Sequence, residues 1–357
     1  MKFFNSDNRT ALEAIEYAQH IAFAPIVFQA SIALRDLGIL TIIEKQGKDG
    51  ITTEQVVELS GLKPYGVRVL LEAGLGIGLL TIDDNYNYFL TKTGYFILQD
   101  EMTKVNMDFV QDICYKGMFD LTGSIQTGKP EGLKTLGPWP TVYEGLSVLP
   151  EKEQKSWFNF DHYYSSDSFP LVLPHVFKDS PKKLLDIGGN TGKWSLQCAK
   201  YNEQVQVTIA DLPGQLKMAQ ANIESQGLSS RVGFHEINIL DKNAKLPKGF
   251  DVIWMSQFLD CFSEEEIISI LERCFEALDE NGQVFILEPF WDRQKYKVSA
   301  FCLQMTSLYF TNIANGNSQM YHSGLFIKLV EKAGFHVIEK IDNIGVSHSL
   351  LKCSKKK

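Results

Sequence analysis

Residues 184–194 read LLDIGGNTGKW. An apolar run ends in Asp186, and Gly188, Gly189 and Gly192 follow as a helical pattern begins. Glycines at such a junction let the backbone turn tightly and approach a ligand. The crevice at the strand ends is where open α/β sheets bind their ligands. Three ligand classes compete for the loop. A P-loop needs Gly-Lys-Ser/Thr after a four-residue spacer, and that pattern is absent. A dinucleotide site asks for G-x-G-x-x-G, whereas here the spacing is GGNTG behind an acidic residue. Asp186 suits a ligand with a cationic amine and sulfonium better than a pyrophosphate.

Outward from this loop, strand-like runs alternate with helical ones: KKLLDIG, QVTIAD, RVGFHEINIL, FDVIWMSQFL, GQVFILEPF, HVIEKID and SHSLLKCS. This alternation predicts a parallel sheet covered by helices on both faces. The last two runs are joined by IDNIGVSH, too short for a helical crossover, so they should form an antiparallel hairpin at the sheet edge. The second strand ends in Asp211, whose carboxylate can accept hydrogen bonds from both hydroxyls of a ribose. The third ends in Asn238-Ile239, where the amide would pair with an adenine amino group and Ile239 would lie on the ring. Together these point to S-adenosylmethionine. The alternative is a Rossmann-like scaffold without a nucleotide.

The first hundred residues have another texture. Residues 8–45 predict a helix that is apolar nearly all round and so needs burial on all sides, for instance in a partner subunit. Thr52 and Gln55 make a capping box, Gly61 closes that helix, and Pro64 opens the next. LLTIDDNYNYFLT then reads as two strands about a turn. Helix, turn, helix, hairpin is a winged-helix pattern. Its second helix offers Arg68, with Lys63 just before it, beside Glu72 and several glycines, too few cationic and amide groups to read a DNA groove. A packing or dimerisation role is expected instead. The fold class is therefore α/β: a winged-helix-like domain at 1–100, an aromatic helical segment at 101–178 that connects and walls a pocket, and a Rossmann-like domain at 179–357.

Composition narrows the partners. A net charge of −8 repels phosphate backbones and anionic lipid, so nucleic acid and membrane are not expected partners. The longest apolar stretch near the N-terminus is interrupted by Pro25 and Gln29, and no secretory signal is visible. The six cysteines show no metal-ligand spacing and read as reduced thiols of a cytoplasmic protein, with no metal expected.

Taken together, LLDIGGNTGKW, ADLPG, FLDCFSEEE, NGQVFILEP, the GKP turn and Phe158-Asn159 make the chain resemble the small-molecule O-methyltransferases of the caffeate and hydroxyindole type. The resemblance covers nearly the whole chain. It implies a metal-independent homodimer that uses S-adenosylmethionine, with the N-terminal helices of one subunit closing the pocket of the other. It puts Gly188 at the methionine end, Asp211 and Leu212 at ribose and adenine, and Asn238 with Ile239 at adenine, where the family usually has Asp for Asn238. It also puts Ser256 and Gln257 against the cofactor, although Lys is frequent at the Ser256 position.

The catalytic motif departs from the pattern. Where the family has Leu-His-Asp-Trp-Ser-Asp-Glu, this chain has LDCFSEE, so the general-base His is replaced by Asp260. Glu288 matches a Glu that orients the His, while the second such Glu falls near Met320 and is missing. Complete transfer of a phenol proton (pKa ~10) to an unperturbed Asp (~3.9) costs about 8 kcal/mol, against roughly 5 to His (~6.5). Burial beside Glu288 would narrow the gap. His162, where the family usually has a substrate-clamping Met, and His322, just before a helix that it would otherwise cap, are the other candidate bases. Trp139, Phe158 and Tyr309 are expected to hold the acceptor.

The leading reading is methylation of a hydroxyl on a small aromatic molecule, with N-methylation open. With the His gone, the same scaffold would alternatively run cofactor-assisted decarboxylation or hydroxylation, or serve as a ligand-binding regulator.

Overall fold

A computed structural model describes residues 3–356, which divide into two compact units, 3–110 and 111–356. In the first unit, helix Ala11–Asp36 starts at a capping box in which the Thr10 backbone donates to Glu13 and the Glu13 backbone to the Thr10 hydroxyl. The expected single helix over 8–45 is two: the chain breaks at Gly38, whose φ of 76° only glycine adopts without strain, and resumes over Ile39–Gln46. Helices Thr53–Ser60 and Pro64–Ile77 and the hairpin β1 (Leu80–Ile82) and β2 (Tyr88–Leu90) follow as expected. Leu34, Leu40, Ile43, Val56 and Leu71 form this unit's core. Helix Ala11–Asp36 is long and apolar enough to cross a membrane by length and composition, yet only 17% of its most apolar window is buried.

The second unit carries β3 (Lys183–Ile187), β4 (Gln206–Asp211), β5 (Val232–Glu236), β6 (Phe250–Ser256), β7 (Leu278–Glu288), β8 (Phe335–Ile344) and β9 (His348–Lys355). They form one sheet in the order β5-β4-β3-β6-β7-β9-β8. The first five strands are parallel, and β9 is antiparallel to both β7 and β8, so the terminal hairpin closes the edge. Side chains alternate faces along β6: Val252 and Trp254 join the core beneath one helical layer, Ile253 and Met255 the core beneath the other. Because β3 leads outward to β4 on one side and β6 lies on the other, strand order reverses between β3 and β6. The carboxyl ends of those two strands therefore frame the crevice that such sheets use for ligands.

Candidate active site

The glycine loop is shaped by two close approaches. Gly188 has φ 72°, and a Cβ there would stand 2.1 Å from the Phe258 ring. A Cβ on Gly189 would meet Asp186 Oδ2 at 2.7 Å. Asp186, buried at the end of β3, accepts from Ser195 Oγ at 2.6 Å. Burial pushes its carboxyl up to about 7, against the Ser195 hydrogen bond and with the help of the Asp211 charge. Asp211, at the end of β4, accepts from the backbone of Asn190 at 2.8 Å and of Leu212 at 2.7 Å, yet burial still lifts it to about 6. Beyond β5, the Asn238 side-chain oxygen accepts from the Leu240 backbone. Arg273 pins this loop by donating to the carbonyls of Ile239 at 2.5 Å and Asp241 at 3.2 Å.

These groups line one cleft of about 220 Å³: Asp186, Gly188, Gly189, Asp211, Leu212, Asn238, Ile239, Ser256 and Gln257 all reach it, and so does His162. Its walls hold buried polar atoms without a hydrogen-bond partner among the described residues: Asn190 Oδ1, Trp194 Nε1, Trp254 Nε1 and Ser256 Oγ. Orphaned donors and acceptors around a void, with two carboxylates at adjacent strand ends, fit a polar, partly cationic ligand such as S-adenosylmethionine.

The other end of the cleft is aromatic and acidic. Tyr143, Trp157, Asp161, His162, Cys261 and Phe262 line it. Trp157 Nε1 donates to the Tyr309 hydroxyl at 2.8 Å. Burial raises Asp161 to about 6, opposed by Lys193 and by the Asn190 amide 3.4 Å away. His162 is pulled down to about 4, mainly by burial and further by Lys193, so its imidazole is neutral at pH 7.

Residues 16–88 match the Dimerisation2-like domain, and residues 172–336 match the O-methyltransferase domain. Residues 172–336 therefore belong to the O-methyltransferase domain family. It is a methyltransferase that uses S-adenosylmethionine. It is similar to the L-tyrosine C(3)-methyltransferase of Streptomyces lavendulae, 24% identical over 330 residues, 91% of this chain and 88% of the relative. It is also similar to the 2,7-dihydroxy-5-methyl-1-naphthoate 7-O-methyltransferase of Streptomyces carzinostaticus, 23% identical over 76% of this chain and 81% of that one. Among solved structures it shares its fold with the S-adenosylmethionine-dependent methyltransferase SibL in its apo form: TM-score 0.71, 24% identity, 95% of this chain and 98% of the other.

Several residues singled out on the sequence stand elsewhere in the methyltransferase. Asp260 is 4% exposed and sits behind Cys261, whose thiol lies 3.5 Å from Asp260 Oδ1. Glu288 is buried, accepts from the Phe258 and Leu259 backbones at 3.0 and 2.8 Å, and leaves Oε2 without a partner among the described residues. Burial, with each carboxyl's charge close to other acidic groups, lifts both above the ordinary carboxylate range, Asp260 to about 7. His322 is not at the cleft. Its Nδ1 accepts from the Gly324 backbone at 3.0 Å and caps helix Ser323–Lys332, beside Asp292. Trp139 lies over Gly137 and Gly145, outside the cleft lining. Phe158 packs on Trp157 and His162, and Tyr309 on Trp157, one layer behind the wall. Sequence reasoning passed over Tyr143, Asp161, Asn190, Lys193, Trp194 and Trp254. Asp161 had a signal, since it lies between Phe158-Asn159 and His162 on one helix.

Proposed function

We propose that the protein methylates a hydroxyl on a small aromatic acceptor, as a cytoplasmic homodimer. The observation that supports this best is the cleft itself, with paired carboxylates Asp186 and Asp211 at one end and Trp157, Tyr143 and Phe262 at the other. When bound, S-adenosylmethionine supplies a methyl group on a cationic sulfonium. The chain's residues do the rest. Asp211 and Leu212 hold the ribose, Asn238 and Ile239 the adenine, and the Gly188–Gly189 turn makes room for the methionine portion. The aromatic wall orients the acceptor ring and excludes water. We assign the hydroxyl proton to Asp260, which burial and the Asp161 charge raise to about 7 and which borders the cleft only through the neighbouring Cys261. With its carboxyl at about 7, complete transfer from a phenol of pKa ~10 costs about 4 kcal/mol rather than about 8.

The dimer reading rests on the matched Dimerisation2-like domain and on Leu12, Ile15, Ile21 and Ile26, each 60% or more exposed on helix Ala11–Asp36. Exposed apolar side chains on opposite sides of one helix call for a cover. The free thiols of all six cysteines suit a reducing compartment.

A second reading has its own support. The Streptomyces lavendulae relative is named an L-tyrosine C(3)-methyltransferase, and this chain has Asp260 where the resemblance implies a base histidine. Incubation with methyl-labelled S-adenosylmethionine and a pool of phenols, tyrosine included, tests both. A labelled methyl ether supports the first reading. A labelled product that keeps its titratable phenol supports the second. Release of the demethylated cofactor with the label recovered only in methanol removes both.

A further inference from the structure

The terminal hairpin places a histidine under the cofactor cleft. Because β9 runs antiparallel to β7, its first residue, His348, lies at the carboxyl end of the parallel strands, where the cleft opens. Ser349 pairs with Glu288 there, so His348 sits one residue beyond the end of β7. His348 is 1% exposed, and its Nε2 stands 3.0 Å from Gln257 Oε1. On the other side of the ring, Nδ1 stands 3.3 Å from Ser168 Oγ, and Ser168 is fully buried. Burial lowers the imidazole to about 4, so it is neutral at pH 7 and has one donor and one acceptor. With Gln257 Oε1 as the acceptor, Nε2 carries the proton, which leaves Nδ1 to accept from the Ser168 hydroxyl, a group that also lies 3.4 Å from the Tyr164 carbonyl.

Gln257 is itself held in an unusual way. Its φ is 46°, a left-handed conformation that residues other than glycine rarely adopt. Its backbone N–H donates to Leu287 O at 3.0 Å, which ties the strained residue to β7. It is one of the residues that line the cleft. With Oε1 engaged by His348, the carboxamide cannot rotate freely, and its two amide protons are left for a ligand. Strain at a cleft residue with a buried partner behind it is the arrangement expected of a group whose orientation matters.

We propose that His348 is a positioning residue: through the relay Ser168–His348–Gln257 it fixes the Gln257 carboxamide as a hydrogen-bond donor to S-adenosylmethionine. This rests on the reading that Gln257 touches the cofactor. The role is distinct from the acid–base work assigned to Asp260, because His348 never meets the acceptor.

The test is a double-mutant cycle read by calorimetric cofactor affinity and by the split between kcat and the KM for S-adenosylmethionine. His348→Phe keeps the bulk and removes the donor. It should weaken cofactor binding about five- to tenfold, the usual effect of one lost hydrogen bond, with the change mainly in KM. Gln257→Ala should weaken it to a similar degree. The double variant should be no worse than Gln257→Ala alone, since the relay acts only through Gln257. His348→Gln, whose amide nitrogen takes the place of Nε2, should recover most of the loss, and it also serves if the Phe variant does not fold. Additive losses in the double variant, or His348→Phe and His348→Gln both within twofold of the parent, would overturn the assignment of His348. Normal cofactor affinity in Gln257→Ala would overturn it from the other side, by removing the contact it depends on. Failure of the unaltered protein to bind S-adenosylmethionine at all would remove the parent reading instead.

Discussion

Asp211 accepts a hydrogen bond from the backbone of Asn190 at 2.8 Å, so the end of β4 is tied to the glycine loop that follows β3. The carboxylate thus braces the loop, and in the proposed function it also holds the ribose. Asp211→Asn keeps the shape and removes the charge. It should weaken S-adenosylmethionine binding by about 1.5–3 kcal/mol, roughly ten- to a hundredfold, as charge-assisted hydrogen bonds do. Titration calorimetry reads this directly, and an affinity within twofold of the parent would show that Asp211 serves the loop alone.

Gly188 faces the Phe258 ring with φ 72°, and a methyl group there has 2.1 Å of space. Gly188→Ala therefore meets both a steric and a backbone obstacle, at a cost of about 1–3 kcal/mol. The variant should melt several degrees lower and bind the cofactor poorly. Unchanged melting and affinity would show that Phe258 moves aside freely.

Asp260 must be deprotonated to act as base. Because burial holds it up to about 7, the methyl-transfer rate at saturating cofactor should rise with pH through about 7 and then level. Asp260→Asn should lose this limb and reduce kcat by ~10²–10⁴, the usual contribution of a positioned base. A parent profile flat from pH 5 to 9, or an Asn variant with most of its kcat, would assign the proton to another acceptor. Asp260→His would restore the family's imidazole and move the limb toward ~6.5.

Stability should also depend on pH. Burial raises Asp161, Asp186 and Asp211 to about 6, 7 and 6, whereas in the unfolded chain they titrate near ~3.9. Over that interval the folded state keeps protons that the unfolded state has released, so stability falls as pH rises. His162 and His348, both lowered to about 4 by burial, act in the opposite sense between ~4 and ~6.5. Above ~7.5 only the carboxyls still titrate. Asp186, 2% exposed, contributes a loss of about 4 kcal/mol in all between ~3.9 and pH 8, of which about 1 kcal/mol falls above pH 6.5, and Asp260, also raised to about 7, adds in the same sense. The cofactor-free protein should melt lower at pH 8 than at pH 6.5. A melting temperature that climbs across that interval would contradict the buried carboxyls.

His322 caps a helix beside Asp292 and does not reach the cleft. His322→Ala should cost at most about 1 kcal/mol of stability and leave kcat within twofold. A large loss of kcat at unchanged melting temperature would return it to the chemistry.

The alternation of strands and helices, the edge hairpin, the glycine turn and the carboxylates of Asp186 and Asp211 at strand ends were legible in the sequence. Each is written in local terms: a period-2 run, a residue free to adopt positive φ, a polar group where an apolar run stops. The break at Gly38 was equally local and was missed because the apolar pattern runs straight through it. The reversal at His322 shows the limit of such reading. A histidine before a helix looks the same in sequence whether it faces a cleft or an amide. Tertiary structure alone decided that Asp260 lies behind Cys261 and that His348 reaches Gln257 across 91 positions. It also decided that Asp161 meets Asn190. The depth at which a carboxyl is buried, and which distant group shares that space, follow from how the layers pack. That packing fixes protonation and donor direction, and no local pattern of residues contains it.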